Sequence, residues 1–526
     1  MNSKAASRVY YNRPQRSCQR EDHTGAVAVL NRLPRVTASP ASFRPSLRWV
    51  IIMTLSYTHD ILRNPFSTLR KLPKPFRATL LSFKFWKYGT MILVLLSLGY
   101  WSFPRYPPSW LRRLPFPPPP LYSDYHFKEL ALPQHNPDLP FPEGRNGKYM
   151  WVANHHDGLG WGNYMQEYML DSYLVYKTGR INVFDNYTWD RYGWDYGYRD
   201  GVVVPSRVPL TAMIAGPLVG DPFPIDDPVP PTVLVDYFQQ VCPKPTVVNT
   251  GDIANELSES IRADELIQIW TENINAMQDR CIEIDRNSGR IFSWEIFGDA
   301  SRLLDVWPEY KASPIIQNFR WSDLVESAFD TNLHLFSSTD KDKTMYPYTT
   351  VNELLALHIR RGDYVSHCDE LAQNAVEWNG FNAFPRFPDQ WKIPTGCGDG
   401  EATLECREVY RKSCYPTVQQ IVAKVEEICS TSVGQGLKNV FIMTNGETRW
   451  VEELKEALAK VRKWEKISST LDMKLSHEQT YIDQAIDMLI GQRAQVVIGN
   501  GWSSLTSNIV MLRMARDAPP ESNRFW

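Results

Sequence analysis

From residue 353 to the C-terminus, short apolar runs alternate with stretches of helical periodicity. "ELLALHI" (353–359), "KNVFIMTN" (438–445) and "QVVIGN" (495–500) are continuous apolar segments of strand length, the pattern of strands buried on both faces. Between and after them, "YPTVQQIVAKVEEICS", "ETRWVEELKEALAKV", "YIDQAIDMLIGQRA" and "SSLTSNIVMLRMA" carry apolar residues at helical spacing. The order β-α-β-α-β-α predicts a parallel sheet wrapped by helices. The first half opens the same way. "KYMWVAN" is strand-like, "HHDGLGWGN" is a glycine-rich turn, and "YMQEYMLDSYLVYKTG" is a helix stopped by Gly179. A second helical region is expected around 253–280. The aromatic stretch "NVFDNYTWDRYGWDYGYRDG" and the segment 366–416 have no clear period and are expected to be irregular. The fold expected is α/β, with two such halves.

Charge changes the picture at the N-terminus. Residues 1–87 hold 16 Lys and Arg against three Asp and Glu, so a net charge of −2 divides into +13 on this head and −15 on the remainder. A basic head on an acidic body argues against a nucleic-acid-binding catalytic region. "YGTMILVLLSLGYWSF" (88–103) has no charged residue, and Phe83, Phe85 and Trp86 lengthen it if Lys84 and Lys87 snorkel. This predicts one membrane-spanning anchor over 88–104. The basic residues before it place the head in the cytosol and the body in the lumen of the endoplasmic reticulum or Golgi, a single-pass type II arrangement. No apolar segment near Met1 suggests a cleaved leader, and Met53 is a second candidate start. The proline-dense "FPRYPPSWLRRLPFPPPPLYSDY" predicts a stiff stem over 105–147. Two α/β domains are then expected, 148–350 and 351–526. Beyond the span lie Cys242, Cys281, Cys368, Cys397, Cys406, Cys414 and Cys429, enough for three disulfides and one thiol, with the pairing open. Asn186-Tyr187-Thr188 is a glycosylation sequon on the expected luminal side.

The chemistry gathers at three polar turns, "HIRRGD", "MTNGE" and "GNGWSS", each following an apolar strand. In a parallel sheet such turns share one edge, where ligands of this fold class bind. Arg360 and Arg361 would meet Thr444, Asn445, Ser503 and Ser504 around one crevice. Guanidinium groups pair with phosphate oxygens, and a helix starting at Ser503 and Ser504 presents free N–H groups to an anion. A diphosphate, as in a nucleotide sugar, fits both. No Asp-x-Asp pair follows a suitable strand to hold a metal beside it, so no metal cofactor is expected.

These motifs resemble those of inverting fucosyltransferases that use GDP-fucose, including the protein O-fucosyltransferases. "HIRRGD" is similar to their His-x-Arg-Arg-x-Asp signature. "IDMLIGQRAQVVIGNGWSS" resembles their C-terminal motif, with Ser503 sixteen residues after Asp487. "MTNGE" resembles the middle motif, although Asn445 replaces the usual Asp. "GLGWGN" resembles the loop that opens the family's first domain, with Gly162 and Asn163 matching. The resemblance implies a GT-B fold, two Rossmann-like domains facing a cleft, with GDP-fucose as donor substrate in the second domain. It implies that Arg360 binds the diphosphate and stabilises the departing GDP, that His358 orients the nucleotide, and that Asp487 holds the guanine N–H groups. Ser503 and Ser504 would cap the phosphates, and Arg361 and Asp363 would brace the loop. Leu505 stands where relatives often carry Phe. The family has no fixed base. Asp157, His155 and His156 in the first-domain turn are candidates, with Asp157 named as the base.

The expected function is transfer of fucose, with inversion, to a hydroxyl of a protein or glycan. The rivals are a GT-B transferase using another nucleotide sugar, a silent nucleotide-sugar-binding module, and a membrane-anchored interaction protein.

Overall fold

A run of strand, turn and helix opens each of two α/β halves. The computed structural model describes residues 117–526 except 156, 193, 200–201, 255–256, 259, 363 and 399–401. All of them lie in Arg105–Trp526, one of the two units into which the chain divides. The expected anchor at 88–104 lies outside the described residues. Among these, no helix is long and apolar enough to cross a membrane.

The first half is built on β1 (Tyr149–Val152), α1 (Trp161–Lys177), β2 (Ile181–Phe184), β3 (Val233–Leu234), β4 (Thr246–Val248) and β5 (Cys281–Ile284). The strands form a parallel sheet in the order β3-β2-β1-β5-β4. α1 ends at Gly179, whose φ of +68° is the left-handed conformation glycine adopts without cost. α2 (Asp323–Asn332) is capped by Ser322 and packs on the second half, where Gln479 Nε2 donates to Leu324 O at 3.2 Å.

The second half contains β6 (Val351–Ile359), α3 (Tyr364–Gln373), α4 (Leu404–Cys414), α5 (Val418–Ser430), β7 (Asn439–Thr444), α6 (Thr448–Leu458), β8 (Lys466–Ser469), α7 (Asp483–Arg493), β9 (Ala494–Gly499), α8 (Ser504–Ala515) and β10 (Asn523–Phe525). Its sheet runs β8-β7-β6-β9-β10, all parallel. Leu355, Leu357 and Ile359 pack with residues of α5 and α6, while Leu354 and Ala356 join the main core on the other face. Alternation along the strand therefore buries both faces, as the apolar runs require. α5 starts in a reciprocal capping box between Thr417 and Gln420.

Three expectations need correction. The extended stem does not reach residue 147. The chain is folded from residue 117: Ser123–Leu130 is a helix, Tyr122 is buried with its hydroxyl donating to Glu478 O at 2.7 Å, and Gln134 Nε2 donates to Gly220 O and Thr232 O. Proline density removes regular hydrogen bonding without preventing burial of the apolar residues between prolines. The aromatic stretch near 190 is ordered as two small antiparallel pairings, Tyr187–Thr188 with Arg207–Val208 and Tyr196–Arg199 with Val202–Pro205. The segment 366–416 holds most of α3 and all of α4, bound together by Cys368–Cys414. The other disulfides are Cys242–Cys281 and Cys397–Cys406, leaving Cys429 as a free thiol.

Candidate nucleotide-sugar site

β6 lies between β7 and β9, with Ile359 opposite Thr444 and Leu357 opposite Ile498. The three polar turns consequently leave one sheet edge side by side. Thr444 Oγ1 donates to Ile359 O at 2.7 Å, tying the β7 turn to the β6 turn. Ser503 caps α8 without spending its hydroxyl on its own helix, and the first turn of α8 holds no acidic residue. Its N–H groups and positive end keep their attraction for an anion.

His358 is buried, and its Nδ1 lies 2.7 Å from Thr506 Oγ1 on α8. Burial, then the neighbouring Arg360 charge, pushes its pKa down to about 3. The ring is neutral near pH 7, so it orients its neighbours as a neutral hydrogen-bonding group. Arg360 is half-buried, with its guanidinium 4.9 Å from the centre of the Tyr364 ring. Asp487 on α7 is buried, and both carboxyl oxygens lie 3.0 Å from Thr470 Oγ1. Burial, then the Asp483 charge, raises its pKa well above the usual carboxylate range.

Arg361, expected to brace the loop, and Asn445 hold the frame of the site. Arg361 faces away from His358, as alternation dictates. Its guanidinium is stacked between Tyr415 at 4.3 Å and Trp450 at 4.0 Å and donates to Pro416 O. Desolvation there lowers its pKa to about 10. Asn445 applies both ends of its amide to the backbone of one residue: Oδ1 accepts from Arg361 N at 2.8 Å, and Nδ2 donates to Arg361 O at 3.1 Å. An aspartate has no such donor, which gives the departure from the usual Thr-Asp motif a local role. Asp363 and His156 lie outside the described residues.

The first half meets the site at Gly162, whose backbone packs against Ser504 and Leu505 and whose carbonyl accepts from Asn508 Nδ2 at 2.8 Å. Asn163 is exposed on the first turn of α1. Asp157 is half-buried in the glycine-rich turn, which is pinned by Gly158 N–H donating to Thr188 O and by Arg191 Nη2 donating to His155 O. His155 is buried, which lowers its pKa. Asn186 is half-buried, and its N–H donates to Asp185 Oδ1 at 2.7 Å. Thr188, the third sequon residue, is buried.

Sequence reasoning missed Thr470 and Thr506. Thr470 follows β8, a polar edge strand too short and too hydrophilic for an apolar-run search. Thr506 was visible in principle, three residues into the motif from Ser503. Among the described residues no group of three or more His, Cys, Asp or Glu could hold a metal ion.

Residues 253–516, half of the chain, match the family described as GDP-fucose protein O-fucosyltransferase. Among solved structures, POFUT1 in complex with GDP-fucose aligns at 13% identity with a TM-score of 0.42, over 72% of this chain and 99% of that one. POFUT1 in complex with GDP aligns at 14% and 0.41, over 72% and 98%. A mutant of Arabidopsis thaliana FUT1 in complex with GDP aligns at 10% and 0.32, over 74% and 73%. A comparison with curated proteins finds no match.

Proposed function

The chain belongs to the GDP-fucose protein O-fucosyltransferase family of GDP-fucose-dependent glycosyltransferases, and from that premise we propose that it transfers fucose with inversion to a hydroxyl of a protein or glycan at the edge where β6, β7 and β9 end. The observation that carries this reading is the convergence of His358, Arg360, Thr444 and the α8 N-terminus on that edge. In the reaction the bond between fucose C1 and the β-phosphate oxygen breaks, and the acceptor oxygen bonds to C1 from the opposite face. Negative charge grows on the departing diphosphate. Arg360, the Ser503 hydroxyl and the first N–H groups of α8 stabilise that charge, and they do so best where water is excluded. Guanine N–H groups donating to Asp487 favour its carboxylate form, against the burial that raises its pKa. Asp157 takes the acceptor proton from the first-domain side of the cleft.

Residues 1–87 are cytosolic in this reading, 88–104 anchors the chain, and the body is in the Golgi or endoplasmic reticulum lumen. Three disulfides and the Asn186 sequon support an oxidising lumen. The test is release of GDP from GDP-fucose by the wild type and by Arg360→Lys. We expect turnover by the wild type and a drop of about 10²–10³ in the variant, the usual effect of removing one transition-state donor. Equal turnover would remove Arg360 from the chemistry.

A further inference from the structure

The irregular segment between α3 and α4 turns back onto the start of α8. Its short 3-10 turn, Gly380–Ala383, packs against that helix, where Phe381 N donates to Ser507 Oγ at 3.0 Å. Asn382 is fully buried there. Its Nδ2 donates to Gly501 O at 2.8 Å and to Ser503 O at 3.2 Å. Asn379 N also donates to Gly501 O, at 2.8 Å. Both partners of Nδ2 are carbonyl oxygens, so the amide has one orientation. Asn382 Oδ1 is buried and has no partner among the described residues. An apolar side chain of similar size would avoid the cost of burying that oxygen. What the amide supplies in return is its pair of bonds to the turn that opens α8.

We propose that Asn382 is a positioning residue for the diphosphate: it fixes the peptide between Ser503 and Ser504 so that the Ser504 N–H is presented to the anion. This rests on the reading of the α8 N-terminus as the phosphate site. The peptide is planar and trans, so its C=O and N–H point in opposite directions. Asn382 Nδ2 and Ser507 N both hold the Ser503 oxygen on the inner side. The Ser504 N–H is thereby turned away from Asn382, at the free end of α8. Gly501 O is tied to the same amide, so this peptide cannot tilt without straining both bonds. Asn382 lies buried behind the turn and acts through the peptide, without touching the nucleotide.

Losing the amide frees the peptide to tilt, and the penalty falls on ligands that carry phosphate. A nucleoside makes no use of the turn. Guanosine therefore separates positioning of the phosphate from a general loss of fold. Asn382→Leu is the sharpest probe. It fills the same space, removes both bonds to the turn and removes the unpaired oxygen, so affinity falls while stability is kept.

The experiment is calorimetric titration of the full chain with GDP, and with guanosine by displacement of GDP, for the wild type, Asn382→Leu and Ser507→Ala, each with a thermal melt. We expect Asn382→Leu to bind GDP about tenfold more weakly, the size of one lost hydrogen bond, with guanosine affinity unchanged and melting close to the wild type. Unchanged GDP affinity, or GDP and guanosine weakened alike, would overturn the proposal. If Asn382→Leu does not fold, Ser507→Ala decides, because it removes the acceptor that ties Phe381 to α8. GDP must then weaken more than guanosine, and an equal or absent loss overturns the proposal. A wild type that fails to bind GDP defeats the reading of the whole site, and the proposal with it. A wild type that binds GDP and loses it in Asp487→Asn, but not in Asn382→Leu, defeats Asn382 alone.

Discussion

Gly162 of the first half lies so close to Ser504 of the second that a Cβ on it would sit 2.7 Å from Ser504 Oγ and 2.8 Å from Leu505 N. The backbone at Leu505 has little room to give, because Asn508 of the same helix is bonded to Gly162 O. Gly162→Ala should push α1 away from the α8 N-terminus and cost about 1–3 kcal/mol, the usual range for overpacking. Thermal melts and GDP release should both fall. A variant with wild-type melting and turnover would show that this seam yields freely.

The two adjacent arginines divide structurally. Arg361→Ala removes a guanidinium stacked on two rings and bonded to Pro416 O. The expected loss is about 2–4 kcal/mol of stability. Arg361→Lys should be intermediate, since it keeps the charge and loses the planar stack. Arg360→Lys should lose less stability than Arg361→Ala. Equal melting temperatures for Arg361→Ala and wild type would contradict this division.

Asn445→Asp turns the donor that faces Arg361 O into an acceptor, setting two acceptors against each other. A stability loss of about 1–3 kcal/mol is expected, with a higher KM for GDP-fucose because the Arg360 turn loses its clamp. Chemical denaturation and steady-state kinetics check the two parts. Asn445→Asp indistinguishable from wild type would mean that the turn holds without the amide donor.

Glu129 supplies a pH dependence of stability outside the site. Its Oε1 accepts from Thr211 N at 3.0 Å and Thr211 Oγ1 at 2.9 Å, yet burial, the larger effect, raises its pKa from 4.5 to about 7. A carboxyl whose folded pKa exceeds its unfolded pKa stabilises most fully below the unfolded value, and the contribution is lost as pH rises through the folded one. Stability from this group should therefore decline between about pH 4.5 and 7, by roughly 3 kcal/mol. Glu129→Gln should flatten the decline and melt higher at pH 8. A steeper decline in the variant would reverse the sign.

The second half was legible because a parallel sheet buries both strand faces, and continuous apolar runs such as 354–357 and 440–443 mark it. Once those strands were ordered, the turns carrying Arg360, Thr444 and Ser503 had to share an edge. Strand alternation likewise separated Arg360 from Arg361. What could not be seen was long-range or local in polar sequence. Thr470 follows a strand of sequence Lys-Ile-Ser-Ser, with no apolar run to announce it. Arg199 reaches Gln484 across 285 positions through a hairpin whose aromatic, glycine-rich sequence has no period of its own. Prolines before residue 148 suggested an extended rod, whereas Tyr122 and Gln134 between them are buried by tertiary contacts.

The central claim is a guanine nucleotide diphosphate held between Arg360 and Asp487. It is tested most directly by calorimetric titration of the wild type and Asp487→Asn with GDP and UDP at one pH near neutral. The wild type should bind GDP and discriminate against UDP. Asp487→Asn should lose about 1–3 kcal/mol of GDP affinity, because its amide N–H₂ would face guanine donors in a buried site. Unchanged GDP affinity in Asp487→Asn, or UDP bound as tightly as GDP by the wild type, would contradict the account.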